Sequence, residues 1–324
     1  MRILVTGGSG FVGGALCAKT VALGWETVSL ARRPSQHGLS VQADLTRPIA
    51  DSALPPGAFD AVVHAAARSS PWGARREFEA QNIEATRNLI DWCRHAGCPH
   101  LVYISTSAVL YRNEHQLGMD ESLAPPPRFI NEYARAKFAA EELVRAYPGP
   151  RTILRPRAVF GPGDTVVFPR LLRVAKEGKF PLIESAGTEP VQADLIYIDT
   201  LVDYIVRVIE KRATGLFHLT NNQPVTMIPF LTDIFARLDL PAPRRRIKVA
   251  RAMAAARFVE ILLRALPFLG EPPITRFGIS VFAYSKTMNV TKSLRELGPP
   301  SVSLEDGIER FLAWYRAQQA QAQT

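Results

Sequence analysis

Tyr133 and Lys137 lie four residues apart in a segment, residues 131–146, whose pattern predicts a helix. This spacing places both side chains on one face of that helix. A tyrosine with its ordinary pKa of about 10 is a poor acid or base at neutral pH, but a neighbouring ammonium group favours the phenolate and lowers that pKa. The pair could therefore move a proton to or from a carbonyl or alcohol oxygen, although the same spacing also occurs by chance.

Ser107 supplies a second group for the same chemistry. It closes the triplet Ser105-Thr106-Ser107, which stands at the end of a predicted strand, residues 101–105. Open α/β sheets bind their ligands at the carboxyl ends of the strands. A serine hydroxyl at that position can hydrogen-bond the oxygen with which Tyr133 would exchange its proton.

A glycine-rich turn joins the first predicted strand, residues 3–6, to the first predicted helix, residues 11–23. Glycine permits the tight turn, the close approach of the backbone to a pyrophosphate, and the close packing of helix on strand. The start of the helix offers free N–H groups to phosphates. This succession of strand, turn and helix therefore predicts a dinucleotide site. We assign to it Gly7, Gly10, Phe11, Val12 and Gly13.

The end of the second predicted strand, residues 27–31, indicates which dinucleotide is bound. NAD sites usually place Asp or Glu there, against the ribose 2′-hydroxyl. Here Arg32 and Arg33 follow at once and no carboxylate is present. Because guanidinium groups match the geometry of a phosphate, we expect NADP(H) rather than NAD(H). The alternative is that both arginines are solvated surface residues.

These groups need a scaffold, and the first half of the chain alternates apolar strands with helical segments. Further strands are predicted at residues 61–65 and 151–155, and a further helix at residues 75–96. Such alternation gives a parallel sheet that helices cover on both faces. We therefore expect an α/β protein built on a Rossmann-type doubly wound sheet.

The second half of the chain changes character and is mostly helical. We place an NADP-binding domain at residues 1–165 and a smaller, discontinuous substrate-binding lobe at residues 166–324. Strands near residues 194–198 and 215–220 are expected to return to the first domain.

The composition excludes several classes of protein. With 47% hydrophobic and 21% charged residues, the chain of 324 residues is neither disordered nor a coiled coil. The three cysteines form no Cys-x-x-Cys pair, and the histidines show no metal-binding spacing. No apolar run reaches about 18 residues, the length that a membrane span needs. We therefore expect a cytoplasmic protein with no metal and no transmembrane segment.

The net charge of +9 would suit an anionic ligand, a nucleic acid or an anionic membrane. The basic residues are mostly scattered and no nucleic-acid-binding motif is present, so we expect no nucleic-acid partner. Residues 250–269 follow Arg244-Arg245-Arg246 and read as a helix with Phe258, Ile261 and Leu262 on one face. We interpret that face first as core packing; a lid over a lipid-like substrate or a peripheral membrane contact is the alternative.

Taken together, the motifs resemble those of the extended short-chain dehydrogenases/reductases. Within that superfamily the chain is similar to the 3β-hydroxysteroid dehydrogenase branch, and more narrowly to bacterial 2-alkyl-3-oxoalkanoate reductases. The resemblance implies an NADP(H)-dependent enzyme that interconverts a ketone and a secondary alcohol on a hydrophobic substrate, either 3-oxo or 3-hydroxy acyl or steroid-like. Besides the glycine turn, the features that carry it are Asp44-Leu45, residues 64–67, Asn82, residues 105–107, Tyr133, Lys137, residues 154–164 and residues 270–277.

The resemblance also implies roles for individual residues. Ser107, Tyr133 and Lys137 would be catalytic, and Asn82 would complete the catalytic tetrad. Tyr133 and Lys137 would contact the cofactor as well. Its remaining contacts, beyond the glycine turn and the two arginines, would come from Asp44, Leu45, Ala65, Ala66, Ala67, Pro156 and Val159.

Two departures from the family pattern bear on the reaction. Arg112 stands where relatives usually have glycine after the tyrosine, which disfavours specificity for sugar nucleotides. Ala108 and Val109 stand in the region where sugar-nucleotide dehydratases carry an Asp-Glu pair, so elimination of water lacks its acid and base. The alternatives to a reductase are a sugar-nucleotide epimerase or dehydratase with tightly bound NAD, and a non-catalytic NADP-binding regulator.

Three further expectations concern partners. Arg157 follows the segment that would flank the nicotinamide, and it could reach an anionic group of the substrate or form an ordinary salt bridge. Trp72 could line the substrate pocket or lie in a surface turn. Relatives often dimerise through helices equivalent to residues 75–96 and 131–146, so a homodimer is possible.

Overall fold

The computed structural model describes residues 1–165, 168–178, 180–243, 245–266, 268 and 270–321. Its strands, in chain order, are β1 (Arg2–Thr6), β2 (Glu26–Ala31), β3 (Leu39–Gln42), β4 (Ala61–His64), β5 (His100–Ile104), β6 (Gln116–Met119), β7 (Arg151–Pro156), β8 (Val159–Phe160), β9 (Leu182–Ile183), β10 (Gln192–Ala193), β11 (Ile196–Tyr197), β12 (Gly215–Leu219), β13 (Val225–Thr226), β14 (Arg246–Ile247) and β15 (Lys286–Met288).

Helices cover the strands on both sides. They are α1 (Phe11–Ala22), α2 (Arg75–Phe78), α3 (Ala85–His95), α4 (Glu132–Arg145), α5 (Phe168–Lys176), α6 (Ile198–Glu210), α7 (Met227–Arg237), α8 (Val249–Ala265), α9 (Arg276–Ala283), α10 (Thr291–Leu297) and α11 (Leu304–Gln321).

Seven strands form the central sheet in the order β12-β7-β5-β4-β1-β2-β3, and every neighbouring pair is parallel. The chain runs outward from β1 to β3, then returns to β4 and continues in the other direction. The strand order therefore reverses between β1 and β4. A ligand of such a sheet binds in the crevice outside the carboxyl ends of the strands at this reversal. The predicted Rossmann-type sheet is confirmed.

The sheet has a hydrophobic layer on each face, because successive side chains of a strand point to opposite sides. In β1, Ile3 and Val5 pack into the layer that contains Ile205 of α6. Leu4, between them, packs into the layer that contains Leu89 of α3. Strands buried on both faces read as uninterrupted apolar runs, which is why the sequence pattern predicts them.

Smaller sheets join the two halves of the chain. β12 pairs with β7 at the edge of the central sheet, whereas β11 pairs with β8 in a separate two-stranded sheet. A four-stranded sheet has the order β13-β10-β15-β6, so it combines strands from before and after residue 165. A fourth sheet pairs β14 with β9. The division into domains at residue 165 stays a prediction.

Helix α8 shows that the first interpretation of residues 250–269 is wrong. Its face with the small residues Ala252 and Ala256 packs against α9, because those side chains allow close approach of the two helices. Phe258 and Ile261, on the other face, are exposed instead of packed in the core. Arg244 and Leu269 lie outside the described residues. Within the part of the chain that the structure describes, no helix is both long and apolar enough to cross a membrane.

Candidate active site

The residues that the motifs single out gather at one edge of the central sheet. Gly7 follows β1, Arg32 follows β2, Ala65 follows β4 and Ser107 follows β5, while Pro156 is the last residue of β7. Since these strands are parallel neighbours, their carboxyl ends lie side by side. This edge is also where the strand order reverses, so the fold places the predicted site in its expected crevice.

The glycine turn fits a bound dinucleotide. Gly7 has φ of 75°, and a Cβ there would lie 2.8 Å from the Cα of Ala66. A Cβ on Gly13 would lie 2.3 Å from the carbonyl oxygen of Gly7. Gly10 caps α1 without a side chain, so the first N–H groups of the helix, which include those of Phe11 and Val12, are left for a ligand. Glycine is therefore required for a tight cradle at the start of a helix.

The adenosine end of the predicted site carries Arg32 and Arg33, both exposed. Asp44 lies close enough to Arg32 for the guanidinium to affect its carboxyl. The pKa of Asp44 is below its ordinary value, chiefly because its carboxylate accepts a hydrogen bond from the backbone N–H of Thr46, with Arg32 as a smaller cause. Leu45 is buried beside them.

Asn82 holds the loop that follows β4. It is buried in a π-helical segment, Glu79–Glu84, that interrupts the predicted helix at residues 75–96 between α2 and α3. Its Oδ1 accepts a hydrogen bond of 2.7 Å from the backbone N–H of Arg68, and its Nδ2 donates to the carbonyl of the same residue. The predicted helix at residues 75–96 is therefore found, with a π-helical turn in its interior at the position of Asn82.

His64, the last residue of β4, connects this loop to β1. One ring nitrogen hydrogen-bonds Thr6 at 2.7 Å and the other hydrogen-bonds Thr86 at 3.0 Å. Thr6 in turn accepts a hydrogen bond from the N–H of Ala66. Burial, and then the charge of Lys137, lowers the pKa of His64 to about 3, so its ring stays neutral. This network positions residues 65–67, the predicted loop along the cofactor.

Tyr133 lies in the first turn of α4. The helix begins there because the side chain of Asn131 caps it, accepting a hydrogen bond of 2.8 Å from the N–H of Ala134. Burial raises the pKa of Tyr133 to about 12, against a smaller lowering by the Thr106 hydroxyl. The lowered pKa expected from Lys137 is therefore not found, because the cost of burying the phenolate dominates.

Lys137 is buried one helical turn further along, and its ammonium is directed to the end of β5. Its Nζ donates a hydrogen bond of 2.6 Å to the carbonyl oxygen of Ile104 and lies 4.2 Å from the ring centre of Tyr103. Burial lowers the pKa of Lys137 to about 7, and the carboxylate of Glu141 opposes this shift. Lys137 thus links α4 to β5, the strand that precedes Ser107.

Glu141, one more turn along α4, is the centre of a buried ion pair. Its carboxylate accepts hydrogen bonds of 2.9 and 2.7 Å from the guanidinium of Arg155 and one of 2.5 Å from the hydroxyl of Ser105. Burial raises the pKa of Glu141, but the bonds from Arg155 outweigh that effect and hold the pKa below its ordinary value. Glu141 was not predicted as a site residue, although its position four residues after Lys137 on the same helix was a signal.

The three residues of the triplet Ser105-Thr106-Ser107 have different hydrogen-bond partners. Ser105 bonds to Glu141, and Thr106 caps the short 3₁₀ helix Ser107–Leu110 by accepting a hydrogen bond from the N–H of Ala108. The Thr106 hydroxyl also lies close enough to Tyr133 to lower its pKa slightly, and Ser107 Oγ lies 2.8 Å from the hydroxyl of the buried Tyr111. Of the predicted nicotinamide contacts, Val159 opens β8 directly after the edge at which Pro156 ends β7.

A cavity of about 370 Å³ opens next to the start of α4. Its walls include Trp72, Asn131, Arg264 and Phe277, so it lies between the loop after β4, α4 and the helices of the second half. The guanidinium of Arg264 lies 5.4 Å from the ring centre of Trp72. Trp72 therefore lines a pocket beside the candidate site, and helix α8 forms part of the wall of this pocket.

The chain matches the model of the NAD dependent epimerase/dehydratase family over residues 3–218. It therefore belongs to this family, and the predicted resemblance to extended short-chain dehydrogenases/reductases is confirmed.

Named relatives narrow the comparison. The chain is 32% identical to a 2-alkyl-3-oxoalkanoate reductase of Stenotrophomonas maltophilia, over 97% of this chain and 99% of the relative. It is 28% identical to a decarboxylating sterol-4-alpha-carboxylate 3-dehydrogenase of Saccharomyces cerevisiae, over 84% of this chain and 82% of the relative. Among solved structures, MoeE5 in complex with UDP-glucose and NAD has a TM-score of 0.76 at 22% identity, covering 98% and 100% of the two chains. That likeness concerns the fold.

Proposed function

We propose that this protein is an NADP(H)-dependent oxidoreductase that interconverts a ketone and a secondary alcohol on a hydrophobic substrate. The observation that carries the proposal is that Tyr133 lies close to Thr106 and Tyr111, that Tyr111 hydrogen-bonds Ser107, and that the buried Lys137, on the same helix as Tyr133, bonds to the end of β5. Arg32 and Arg33, exposed at the end of β2 where an NAD site would carry a carboxylate, support NADP(H).

In the reducing direction, each residue has one task. Bound NADPH supplies the hydride that the carbonyl carbon receives. Ser107 donates a hydrogen bond to the substrate oxygen, and Tyr133 delivers a proton to the same atom. With its pKa raised to about 12, Tyr133 is a neutral phenol at pH 7 and so carries the proton it must give. Lys137 holds an ammonium near the phenolate that remains.

The relatives support a hydrophobic substrate of the 3-oxo or 3-hydroxy type. One is named a reductase of 2-alkyl-3-oxoalkanoates and another a dehydrogenase of a sterol carboxylate at its carbon 3. In this chain, the pocket beside the start of α4 has aromatic walls from Trp72 and Phe277 together with charged walls from Arg135, Glu260 and Arg264. The aromatic rings would contact the apolar part of such a substrate.

The test is NADPH oxidation with a panel of 2-alkyl-3-oxoalkanoates, 3-oxosteroids and small ketones, with NADH in parallel. Removing a general acid costs roughly a factor of 10² to 10⁴, so Tyr133→Phe should lose activity by that factor and still bind NADPH. Tyr315→Phe, on α11, is the matched control and should keep full activity.

Other outcomes would replace the proposal. NAD retained through purification, with turnover of a sugar nucleotide, would establish an epimerase or dehydratase. NADPH binding without turnover of any ketone would indicate a regulator.

A further inference from the structure

Arg157 lies two residues after Arg155, and its side chain is buried without a full set of hydrogen-bond partners. Its side chain is 3% exposed, and its Nε donates a hydrogen bond of 3.0 Å to the carbonyl oxygen of Lys286. Its Nη2 is buried and has no hydrogen-bond partner among the residues that the structure describes. Leaving a charged N–H group dry and unpaired is costly, so this nitrogen is expected to serve a ligand.

Lys286 of β15 adds a second buried cation at the same place. It is fully buried, and its Nζ donates a hydrogen bond of 2.5 Å to the backbone carbonyl of Glu114. Its Nζ lies 5.6 Å from the ring centre of Tyr111, and the guanidinium carbon of Arg157 lies 5.4 Å from the same centre. Burial, and then the charge of Arg157, lowers the pKa of Lys286 to about 7.

Asp194 is the neighbouring acid, and Arg157 lies close enough to act on its carboxyl. Burial raises the pKa of Asp194, while the hydrogen bond of 2.7 Å from the N–H of Met288, and then the charge of Arg157, lower it in part. One carboxylate can balance only one of the two basic side chains, and the Nη2 of Arg157 still has no hydrogen-bond partner among the described residues.

We infer that Arg157 and Lys286 bind a carboxylate of the substrate, carried on the carbon next to the one that bears the reacting oxygen. This inference rests on the proposed function, in which Ser107 holds that oxygen. The Tyr111 hydroxyl lies 2.8 Å from Ser107 Oγ, and both cations lie against the Tyr111 ring. In a 3-oxo or 3-hydroxy acid, the carboxyl carbon is two bonds from the reacting carbon, and Tyr111 likewise contacts both Ser107 and the two basic side chains.

The test compares a stable acid with its neutral counterpart. The enzyme is assayed with NADP⁺ on 2-butyl-3-hydroxyoctanoate and on its methyl ester, because 3-hydroxy acids do not lose CO₂ as 3-oxo acids do. The wild-type protein should prefer the acid. Truncating one partner of a buried charge pair typically costs about 30-fold or more, so Arg157→Met should lower kcat/KM for the acid by roughly 30- to 100-fold and change that for the ester by less than about threefold. Lys286→Met should lose about tenfold on the acid.

A non-reacting acid provides a second measurement. 2-Butyloctanoate should inhibit oxidation of the ester by the wild-type protein, and its inhibition constant should rise in Arg157→Met. Arg94→Met, which removes an arginine with a half-exposed side chain on α3, is the control and should change neither value.

The two proposals fail in different ways. Equal losses on acid and ester in Arg157→Met, or a wild-type protein indifferent to the carboxylate, would overturn the subsite and leave the reductase standing. No oxidation of either compound by the wild-type protein would overturn the proposed function, and the subsite with it.

A second, independent observation concerns the outer surface of α8. Phe258 is 69% exposed, Ile261 is 58% exposed, and Phe268 beyond the helix is 79% exposed. Glu260 is the one acidic residue between positions 245 and 268, and it is buried in an ion pair with Arg276. The surrounding exposed cations are Arg245, Arg246, Lys248, Arg251, Arg257 and Arg264.

We propose that this α8 surface binds an anionic lipid bilayer. Exposed aromatic and aliphatic side chains would enter the interface, and the uncompensated cations would meet the lipid phosphates. Helix α8 also covers the pocket lined by Trp72, so binding would bring that pocket to the bilayer surface. A hydrophobic substrate could then enter directly from the membrane.

The test is co-sedimentation with vesicles of phosphatidylcholine containing phosphatidylglycerol. Binding should require phosphatidylglycerol, weaken with salt, and fall by at least fivefold in Phe258→Ser/Ile261→Ser. Leu117→Ser removes a leucine that is 62% exposed on β6, and it should bind as the wild-type protein does. Absence of binding to these vesicles would overturn the proposal. So would self-association in solution that the double variant abolishes, because the face would then be a protein interface.

Discussion

Replacing Glu141 by glutamine should destabilise the protein far more than the same replacement of its exposed neighbour Glu142. The substitution keeps the shape of the side chain but removes the charge that Arg155 faces. Both partners are essentially inaccessible to solvent, with side-chain exposures of 0% and 2%. Arg155 cannot recover its hydration, and breaking one half of a buried ion pair costs about 3–5 kcal/mol.

This free energy can be converted into a shift of Tm. The entropy of unfolding near Tm is about 2.1 cal/mol/K per residue. For 324 residues this amounts to about 0.7 kcal/mol/K, so a loss of about 3–5 kcal/mol lowers Tm by about 4–7 °C. Calorimetry or the change in tryptophan fluorescence on heating measures the shift.

Glu142→Gln is the matched control. Its carboxylate is 56% exposed and pairs with Arg145, so its Tm should fall by about 1 °C or less. The double variant Glu141→Leu/Arg155→Met should recover part of the loss, because no buried charge then remains unpaired. The reasoning is refuted if Glu141→Gln melts within about 1 °C of Glu142→Gln, since Arg155 would then have found water or another partner.

Three further predictions test the site. Gly13→Ala would place a Cβ against the carbonyl oxygen of Gly7, so NADPH binding measured by fluorescence titration should weaken by at least tenfold. Arg32→Ser/Arg33→Ser should raise KM for NADPH by about tenfold and leave KM for NADH unchanged; an equal effect on both cofactors would contradict the assignment. Because the folded-state pKa of Lys137 is depressed to about 7, its stability penalty is full below that pH and is relieved as the pH rises towards about 10. Lys137→Met should therefore flatten the rise of Tm between pH 7 and 9.5.

The sequence was sufficient for the residues that parallel strands bring together. Gly7 and Ser107 are 100 positions apart, yet both could be assigned to one edge because each follows an apolar run that predicts a strand of the same parallel sheet. The glycine turn was equally clear, since a Cβ at Gly7 or Gly13 would collide with backbone. Local spacing and one topological rule thus account for most of the predicted site.

Contacts between distant short strands could not be predicted. Arg157 bonds to Lys286, 129 residues later, on the three-residue strand β15, which itself pairs with β10 and β6. Segments of two or three residues carry no periodic signal. The π-helical turn around Asn82 was not predicted either, and the contact that Asn82 makes there, with the backbone of Arg68, lies 14 residues away in the chain. The same holds for the pKa of Tyr133, which depends on burial that spacing does not reveal.

Arg155 and Arg157 show why burial of a charge has to be considered together with its partners. They stand two residues apart, and their side chains are 2% and 3% exposed, so composition and burial do not separate them. Arg155 has a bidentate carboxylate partner in Glu141, and its role is complete within the fold. Arg157 has a backbone carbonyl, a tyrosine ring, a second basic side chain and the nearby carboxyl of Asp194, and its Nη2 has no hydrogen-bond partner among the described residues. A carboxylate from the substrate would complete the set of partners that Glu141 completes for Arg155, which is why the acid-to-ester comparison is the sharpest test of this site.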